Sequence, residues 1–224
     1  MFCADFIGGD LIEKLNFLFA VRTYIHEWVE FDRHARTVLG TRSVVASDED
    51  VLIQLKRVAV HYRVIRTLKI EGGGLKRLGP VWSALEGLTR PNSYEDAKSC
   101  VNTLVGTLEQ HYGQRLPSAA SKFLWMRFGS PIVVYDSLTL DWMREYGGCP
   151  RNENSYDDFY DAWRRNFRSH RAAIDQACER LIRARAFFRP NYITRVDFDK
   201  AVRSRWFEER VFDHALIRAA GPKI

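Results

Sequence analysis

The stretch RLPSAASKFLWMRFGSPIVVYDSLTL, residues 115–140, decides how this chain of 224 residues is interpreted. Small residues follow Pro117 and lead to Lys122, and an apolar run follows Pro131 and leads to Asp136. Proline suits the turn before a helix or its first position, so we expect a helix to begin near Pro117. Apolar residues at helical spacing follow Asp136, which predicts a second helix with Asp136 at its start.

Lys122 and Asp136 have a plain interpretation and a chemical one. A lone lysine is usually a solvated surface group, and an aspartate before a helix is usually only its cap. However, the positive end of a helix dipole and burial both disfavour a protonated lysine, and an unprotonated lysine is a nucleophile that can form a Schiff base. An ionised carboxylate can stabilise positive charge that develops on a sugar carbon.

The rest of the chain reads as helices joined by short loops. Capping patterns predict helix starts at Asp10, Ser47, Ser93 and Ser155. We expect the second of these helices to run to the EGGG sequence at 71–74, and the Arg-rich region after Ser155 to break near Ser169 and stop at Pro190. A last helix is predicted over 197–220.

Only PIVVY, residues 131–135, resembles a strand, and one strand cannot form a sheet alone. The predicted class is therefore mostly α, with residues 1–224 as a single helical domain.

Positive charge is concentrated in the last third of the sequence. Residues 151–224 hold 16 Lys and Arg against 11 Asp and Glu, an excess of +5 within a total of +6. Most of these cations are arginines, which suit contact with phosphate, although solvated helix faces explain such an excess equally well.

Cysteine spacing and the N-terminus exclude several classes of protein. Cys3, Cys100, Cys149 and Cys178 form no CxxC pair, so we expect neither a zinc site nor an iron–sulfur cluster, and we expect reduced thiols in a cytoplasmic protein. The sequence MFCADFIGGD has no basic region of a secretion signal, and no apolar run suggests a membrane segment.

The segment LPSAASK, residues 116–122, resembles the LPGVGxK hairpin of the helix-hairpin-helix DNA glycosylase superfamily. SKFLWMRFGSPIVVYD, residues 121–136, further resembles the bacterial 8-oxoguanine-glycosylase-like branch, with its SK(F/V)L and P-x-x-x-x-D pattern. RWFEERVFDHAL, residues 205–216, is similar to that branch's terminal helix. The similarity covers roughly a sixth of the chain, with the hairpin and catalytic segment at about 112–145.

The resemblance implies two helical lobes around a cleft that holds Lys122 and Asp136. The enzyme would act on double-stranded DNA, extrude a damaged or modified base and excise it, in repair or in defence against modified foreign DNA. Lys122 would attack C1′ and Asp136 would assist it, and the imine could undergo β-elimination as in a lyase. We expect a monomer without cofactor or metal. Further DNA or base contacts are expected from residues near the motif, namely Arg115, Ser118, Ala120, Ser121, Trp125, Arg127 and Trp142.

The sequence departs from the family pattern at the hairpin. Ser118 and Ala120 replace its two glycines, and a Cβ at Ala120 obstructs close approach of a phosphate. The family's bound monovalent cation is therefore not carried over, and the spacing from Lys122 to Asp136 is shorter than in better-known members. Two alternatives stay open: a non-catalytic DNA-binding module of the same fold, and a helical protein-interaction domain.

Overall fold

The computed structural model describes residues 15–40, 47–69, 74–148, 150–152 and 155–221, and within these ranges it is helical without a β-strand. The helices fall into two compact units. The central unit comprises Glu27–Asp136 and Asn152–Tyr160, and the terminal unit comprises Met1–His26, Ser137–Arg151 and Asp161–Ile224. The mostly α prediction is confirmed.

Twelve α-helices are labelled in chain order within the described residues. They are α1 (Phe17–Glu27), α2 (Arg33–Gly40), α3 (Asp48–His61), α4 (Gly79–Glu86), α5 (Tyr94–Tyr112), α6 (Pro117–Phe128), α7 (Ser137–Trp142), α8 (Tyr156–Ser169), α9 (Arg171–Arg183), α10 (Arg185–Phe188), α11 (Arg195–Val202) and α12 (Arg205–Ala219). A π-helical turn, Trp28–Asp32, links α1 to α2, and another, Met143–Gly147, follows α7.

The central unit is built around α6. Helices α2, α3 and α5 all pack on it, and α4 packs on α3 and α5. Residues 119–126 of α6 are all buried, and most of their own side chains are small or apolar, as expected of a helix in the core of a unit. Gly40 at the end of α2 allows close contact here, since a Cβ on it would lie 2.9 Å from the carbonyl oxygen of Arg127.

The terminal unit has an aromatic core. The rings of Trp163, Phe167 and Phe212 lie with centroids 5.1 to 5.5 Å apart. Helix α12 packs on α7 and α9 and buries charged side chains together with its apolar ones. Arg210 donates to Asp213 at 2.8 Å, and the indole N–H of Trp163 donates to the same carboxylate at 2.7 Å, so each oxygen of this buried carboxylate accepts a hydrogen bond.

Several predicted boundaries hold. Ser47 and Ser93 form capping boxes with Asp50 and Asp96 at the starts of α3 and α5. Helix α8 follows Ser155 and ends at Ser169, where the break was expected. The helix start predicted at Asp10, like Gly72 and Gly73 of the EGGG sequence, lies outside the described residues.

Three predicted elements are wrong. PIVVY is not a strand: residues 132–136 have no regular secondary structure, and hydroxyl groups of Tyr156 and Tyr160 bond the backbone of Val133 and Pro131 in place of a neighbouring strand. Helix α3 ends at His61 instead of at EGGG. The last helix is two helices, since the chain turns at residues 203–204 between α11 and α12.

Candidate active site

Lys122 is the sixth residue of α6 and lies in its second turn. Pro117 begins the helix, as predicted, and a four-residue connection from Gly113 to Leu116 joins it to α5. Gly113 has a left-handed φ of 69°, which glycine adopts without strain and which ends α5 sharply. The sequence LPSAASK therefore follows a tight helix–turn–helix connection.

The Lys122 ammonium nitrogen lies among three oxygen atoms. Nζ is 3.1 Å from Oδ2 of Asp136, 3.0 Å from Oγ of Ser118 and 3.4 Å from the backbone oxygen of Tyr62. The Lys122 side chain is 7% exposed and that of Asp136 is 22% exposed. An ammonium group has three N–H donors, so these contacts match its full hydrogen-bonding capacity.

Asp136 reaches Lys122 because the segment before it is fixed to α6 and to α8. The backbone N–H of Tyr135 donates to Oγ of Ser121 at 2.9 Å, and the hydroxyl of Tyr156 donates to the oxygen of Val133 at 2.8 Å. Asp136 then stands directly before α7, which begins at Ser137. Two hydrogen bonds between side chains and the backbone of residues 133 and 135 thus bring Asp136 to Lys122, which lies 14 residues earlier in the sequence.

Tyr62 was not predicted to take part in this site. Tyr62 directly follows the last residue of α3. The next residue, Arg63, has a left-handed φ of 58°, so the backbone turns away from the helix. The N–H of Val64 returns to the oxygen of Ala59 at 2.8 Å, which closes the helix end and leaves the Tyr62 carbonyl directed at Lys122. The Tyr62 hydroxyl is held at its other end by the buried carboxylate of Asp32, 2.9 Å away.

The three small residues expected to contact DNA near Lys122 all make contacts within the protein. Ser118 accepts a hydrogen bond from Lys122, and Ser121 is buried and holds Tyr135. Ala120 is also buried, and its N–H donates to the oxygen of Leu116 at 2.9 Å. Within this conformation the hydroxyl of Ser121 and the N–H of Ala120 are used inside the protein.

The two tryptophans expected to stack on a base are both 1% exposed. The guanidinium carbon of Arg36 lies 5.0 Å from the centroid of the Trp125 ring, and Trp142 packs edge-on against His170 in the terminal unit. Their surroundings are those of core residues, and stacking on an extruded base stays a prediction that requires them to be uncovered.

The two arginines differ in availability. Arg115 is exposed on the connection before α6 and pairs at 3.8 Å with Glu109. Arg127 is half-buried: Nη1 donates to the oxygen of Leu39 at 3.1 Å, and its guanidinium lies over the Trp82 ring at 5.1 Å. Arg115 is therefore the better placed of the two to meet a phosphate.

In the described part of the chain, neither a reactive thiol nor a metal site offers an alternative active site. Cys100 and Cys178 are buried free thiols, and burial raises their pKa to about 11 and about 12. Such thiols stay protonated and unreactive. Among the described residues, no group of three or more His, Cys, Asp or Glu side chains is arranged to hold a metal ion.

Two further findings concern membrane-spanning helices and similarity to known proteins. None of the helices in the described ranges combines the length and apolar character needed to cross a bilayer. Comparison of the sequence and structure with protein-family models, curated proteins and solved structures gives no match.

Proposed function

We propose that this protein is a DNA glycosylase that excises a damaged or modified base from DNA, with Lys122 as nucleophile and Asp136 as its partner. The contact that carries the proposal is the 3.1 Å approach of Lys122 Nζ to Asp136 Oδ2. Two residues that the sequence singled out, 14 positions apart, thus lie within hydrogen-bond distance of each other. The helix–turn–helix connection at residues 113–116 supports the same proposal.

The chemical step follows from the positions of these groups. Asp136 accepts a proton from Lys122, and the neutral amine attacks C1′ of an extruded nucleotide. The N-glycosidic bond breaks, and the base leaves with the bonding electrons and takes up the proton that Asp136 holds, which restores the carboxylate. The carboxylate stabilises positive charge on the sugar. The sugar ring then opens: the C1′–O4′ bond breaks, O4′ takes up a proton released by the attached nitrogen, and C1′ and Nζ form an imine. Loss of a C2′ proton from this imine breaks the C3′–O bond and nicks the strand.

Access to the nitrogen is part of the proposal. Because the Lys122 side chain is only 7% exposed, DNA binding has to open its surroundings before a sugar carbon can reach Nζ. Asp136, at 22% exposed, is the side of the pair from which solvent and substrate approach. Extrusion of a nucleotide moves its sugar away from the duplex, which is the movement that reaching an enclosed lysine requires.

The test uses duplexes that each carry one modified base. Base release and strand nicking are measured, and borohydride is added to trap the imine as a covalent protein–DNA adduct. We expect trapping with a cognate base, and loss of trapping in Lys122→Gln. Asp136→Asn should cut the excision rate severely, because a neutral amide does not stabilise the sugar cation.

The matched control is Lys98→Gln. Lys98 is another lysine in an ion pair, 3.3 Å from Glu95 on α5, and its side chain is 12% exposed. This variant loses the same charge as Lys122→Gln and should retain full excision and trapping. If Lys122→Gln releases the base without a nick, water is the nucleophile and Asp136 alone carries the chemistry. Full excision by both site variants would refute the proposal.

One observation favours a protein-interaction function instead. A groove of about 540 Å³ in the central unit has mainly apolar walls, and neither Lys122 nor Asp136 lines it. Its lining residues are Phe31, Ile53, Lys56, Arg57, Val60, His61 and Leu75. If the chain binds no DNA at low salt, this alternative replaces the glycosylase proposal.

A further inference from the structure

The described part of the terminal unit contains a segment that is both basic and unusually exposed. Residues 183–196, RARAFFRPNYITRV, hold four arginines and no carboxylate. We call this the arginine–aromatic segment. Its side chains Phe187, Tyr192 and Val196 are 87%, 67% and 74% exposed, more than any other large hydrophobic side chain among the described residues. Exposed aromatic rings cost free energy in water, so they indicate a contact surface.

The backbone beneath these rings is well anchored. Phe187 lies on α10, next to Phe188, whose ring is covered by the guanidinium of Arg22 at 5.0 Å. Arg189 donates through Nη1 to the oxygen of Ile193, whose side chain is buried, and this bond spans the loop that carries Tyr192. Two aromatic rings are thus presented to solvent, Phe187 from a short helix and Tyr192 from a loop that the Arg189–Ile193 bond closes.

The cations of the segment are also accessible. Arg183 and Arg195 are exposed, at the end of α9 and the start of α11. Arg185 makes contacts within the protein: it donates to the oxygen of Ile182 at 2.7 Å and lies 3.9 Å from Asp199. Two exposed arginines therefore flank two exposed aromatic rings within 13 residues, from 183 to 195.

We propose that the arginine–aromatic segment binds nucleic acid whose bases are unstacked, with Phe187 and Tyr192 stacking on bases and Arg183 and Arg195 contacting phosphates. Aromatic rings beside arginines are the combination that single-stranded nucleic acid requires, because each base has an apolar face and each linkage a negative charge. This inference deepens the proposed function, on which its choice of DNA rests: extrusion of a base leaves unstacked neighbours to be held.

A membrane surface fits the same segment less well. Interfacial helices present a broad apolar face to lipid. Helix α11 instead buries its apolar residues Phe198, Ala201 and Val202 and exposes Asp197 beside Val196. Isolated rings between cations match separate bases better than a continuous layer of acyl chains.

The experiment measures Kd by fluorescence anisotropy with the full chain. The probes are a labelled single-stranded DNA, the same strand in a fully paired duplex, and a duplex with one unpaired base. Each stacked base contributes roughly 5- to 100-fold to affinity, so Phe187→Ala and Tyr192→Ala should each weaken binding to the single strand by about that factor. Their binding to the paired duplex should change much less, and Tyr192→Phe should restore affinity.

The salt dependence separates the arginines from the aromatic rings. Arg183→Gln and Arg195→Gln should each lower the slope of log Kd against log salt concentration by about 0.7 to 1. The aromatic variants should leave that slope unchanged. Val60→Ala is the matched control: Val60 is 55% exposed on α3 in the central unit, and its removal should leave Kd unchanged. All these side chains are exposed, so melting temperatures should stay within a few degrees of the parent.

Two results would overturn the inference. One is unchanged affinity of Phe187→Ala and Tyr192→Ala for all three DNAs. The other is that Phe187→Ala and Tyr192→Ala weaken binding to phosphatidylserine vesicles but leave binding to DNA unchanged. That result would assign the segment to membranes. None of these measurements uses base excision. If the aromatic variants lose affinity for single-stranded DNA but borohydride traps no adduct, this inference stands and the proposed catalysis is refuted. If an adduct is trapped but the aromatic variants bind DNA normally, the proposed catalysis stands and this inference is refuted.

Discussion

The Lys122–Asp136 pair should respond asymmetrically when its two members are removed. Breaking a buried ion pair usually costs about 3–5 kcal/mol, because one charge is left without its partner away from water. In this pair the lysine side chain is 7% exposed and the aspartate 22% exposed. Asp136→Asn leaves the more buried charge behind, whereas Lys122→Met leaves a carboxylate that water can reach.

The surroundings reduce the first of these costs. After Asp136→Asn, Nζ still has the Ser118 hydroxyl at 3.0 Å and the Tyr62 oxygen at 3.4 Å. We therefore expect Asp136→Asn to lower the free energy of unfolding by about 2 kcal/mol and Lys122→Met by about 1 kcal/mol. The double variant should be more stable than the sum of the two losses predicts, with a coupling energy of about 1 kcal/mol.

The assay is equilibrium unfolding in urea at neutral pH, with midpoints compared at equal m-values. The Lys98–Glu95 pair, whose carboxylate side chain is 78% exposed, provides the control: Glu95→Gln should cost less than about 0.5 kcal/mol. A larger loss for Lys122→Met than for Asp136→Asn would show that the lysine is not the more desolvated partner. The opening step of the proposed mechanism would then lose its physical basis.

Three other predictions concern packing, pH and thiol reactivity. Gly40→Ala should destabilise the protein by about 1–3 kcal/mol, because its Cβ meets the Arg127 carbonyl at 2.9 Å, whereas Gly106→Ala, in open space within α5, should stabilise it by up to about 1 kcal/mol in the same urea assay. Burial raises the pKa of Glu208, which the Arg171 guanidinium 3.0 Å away only partly offsets, so the folded state holds this proton more tightly than the unfolded state. Stability is then lost as pH rises from the ordinary carboxyl range through the raised pKa, and Glu208→Gln should gain in melting temperature relative to the parent as pH rises from about 4 to 8; a constant difference would contradict this. Cys100 and Cys178, with pKa values of about 11 and 12, should be alkylated far more slowly in the folded protein than in urea at pH 8, as peptide mass mapping would show; equal rates would mean that they are not buried.

The parts of the fold that the sequence predicts are those with local causes. Ser47 and Ser93 bond the first turns of their own helices, and Pro117 fixes the backbone at the start of α6, so neighbouring residues determine each boundary. The PIVVY prediction failed for the opposite reason. Its backbone partners are side chains of α8, more than 20 residues away along the chain, and nothing within the five residues indicates them.

The candidate site divides in the same way. The sequence motif identifies Lys122 and Asp136 as candidates, and in the structure their side chains lie 3.1 Å apart. The Tyr62 carbonyl could not be predicted, because every residue has a carbonyl and its direction depends on Arg63 adopting a positive φ that its residue type does not favour. Burial of Trp125 and Trp142 likewise depends on packing that helical spacing cannot distinguish from an open surface.

The three oxygens around Lys122 have a consequence for unwanted chemistry. In the ammonium form, all three N–H bonds have acceptors and no lone pair is available, so free aldehydes and reducing sugars in the cell meet an unreactive group. Asp136 as a carboxylate and the Tyr62 carbonyl can only accept hydrogen bonds, whereas the Ser118 hydroxyl can also donate one. Rotation of that hydroxyl lets Ser118 stay bonded to the neutral amine after its proton has gone. In the proposed mechanism, Ser118 can therefore bond Lys122 both as the ammonium ion, which does not undergo glycation, and as the neutral amine that acts as nucleophile.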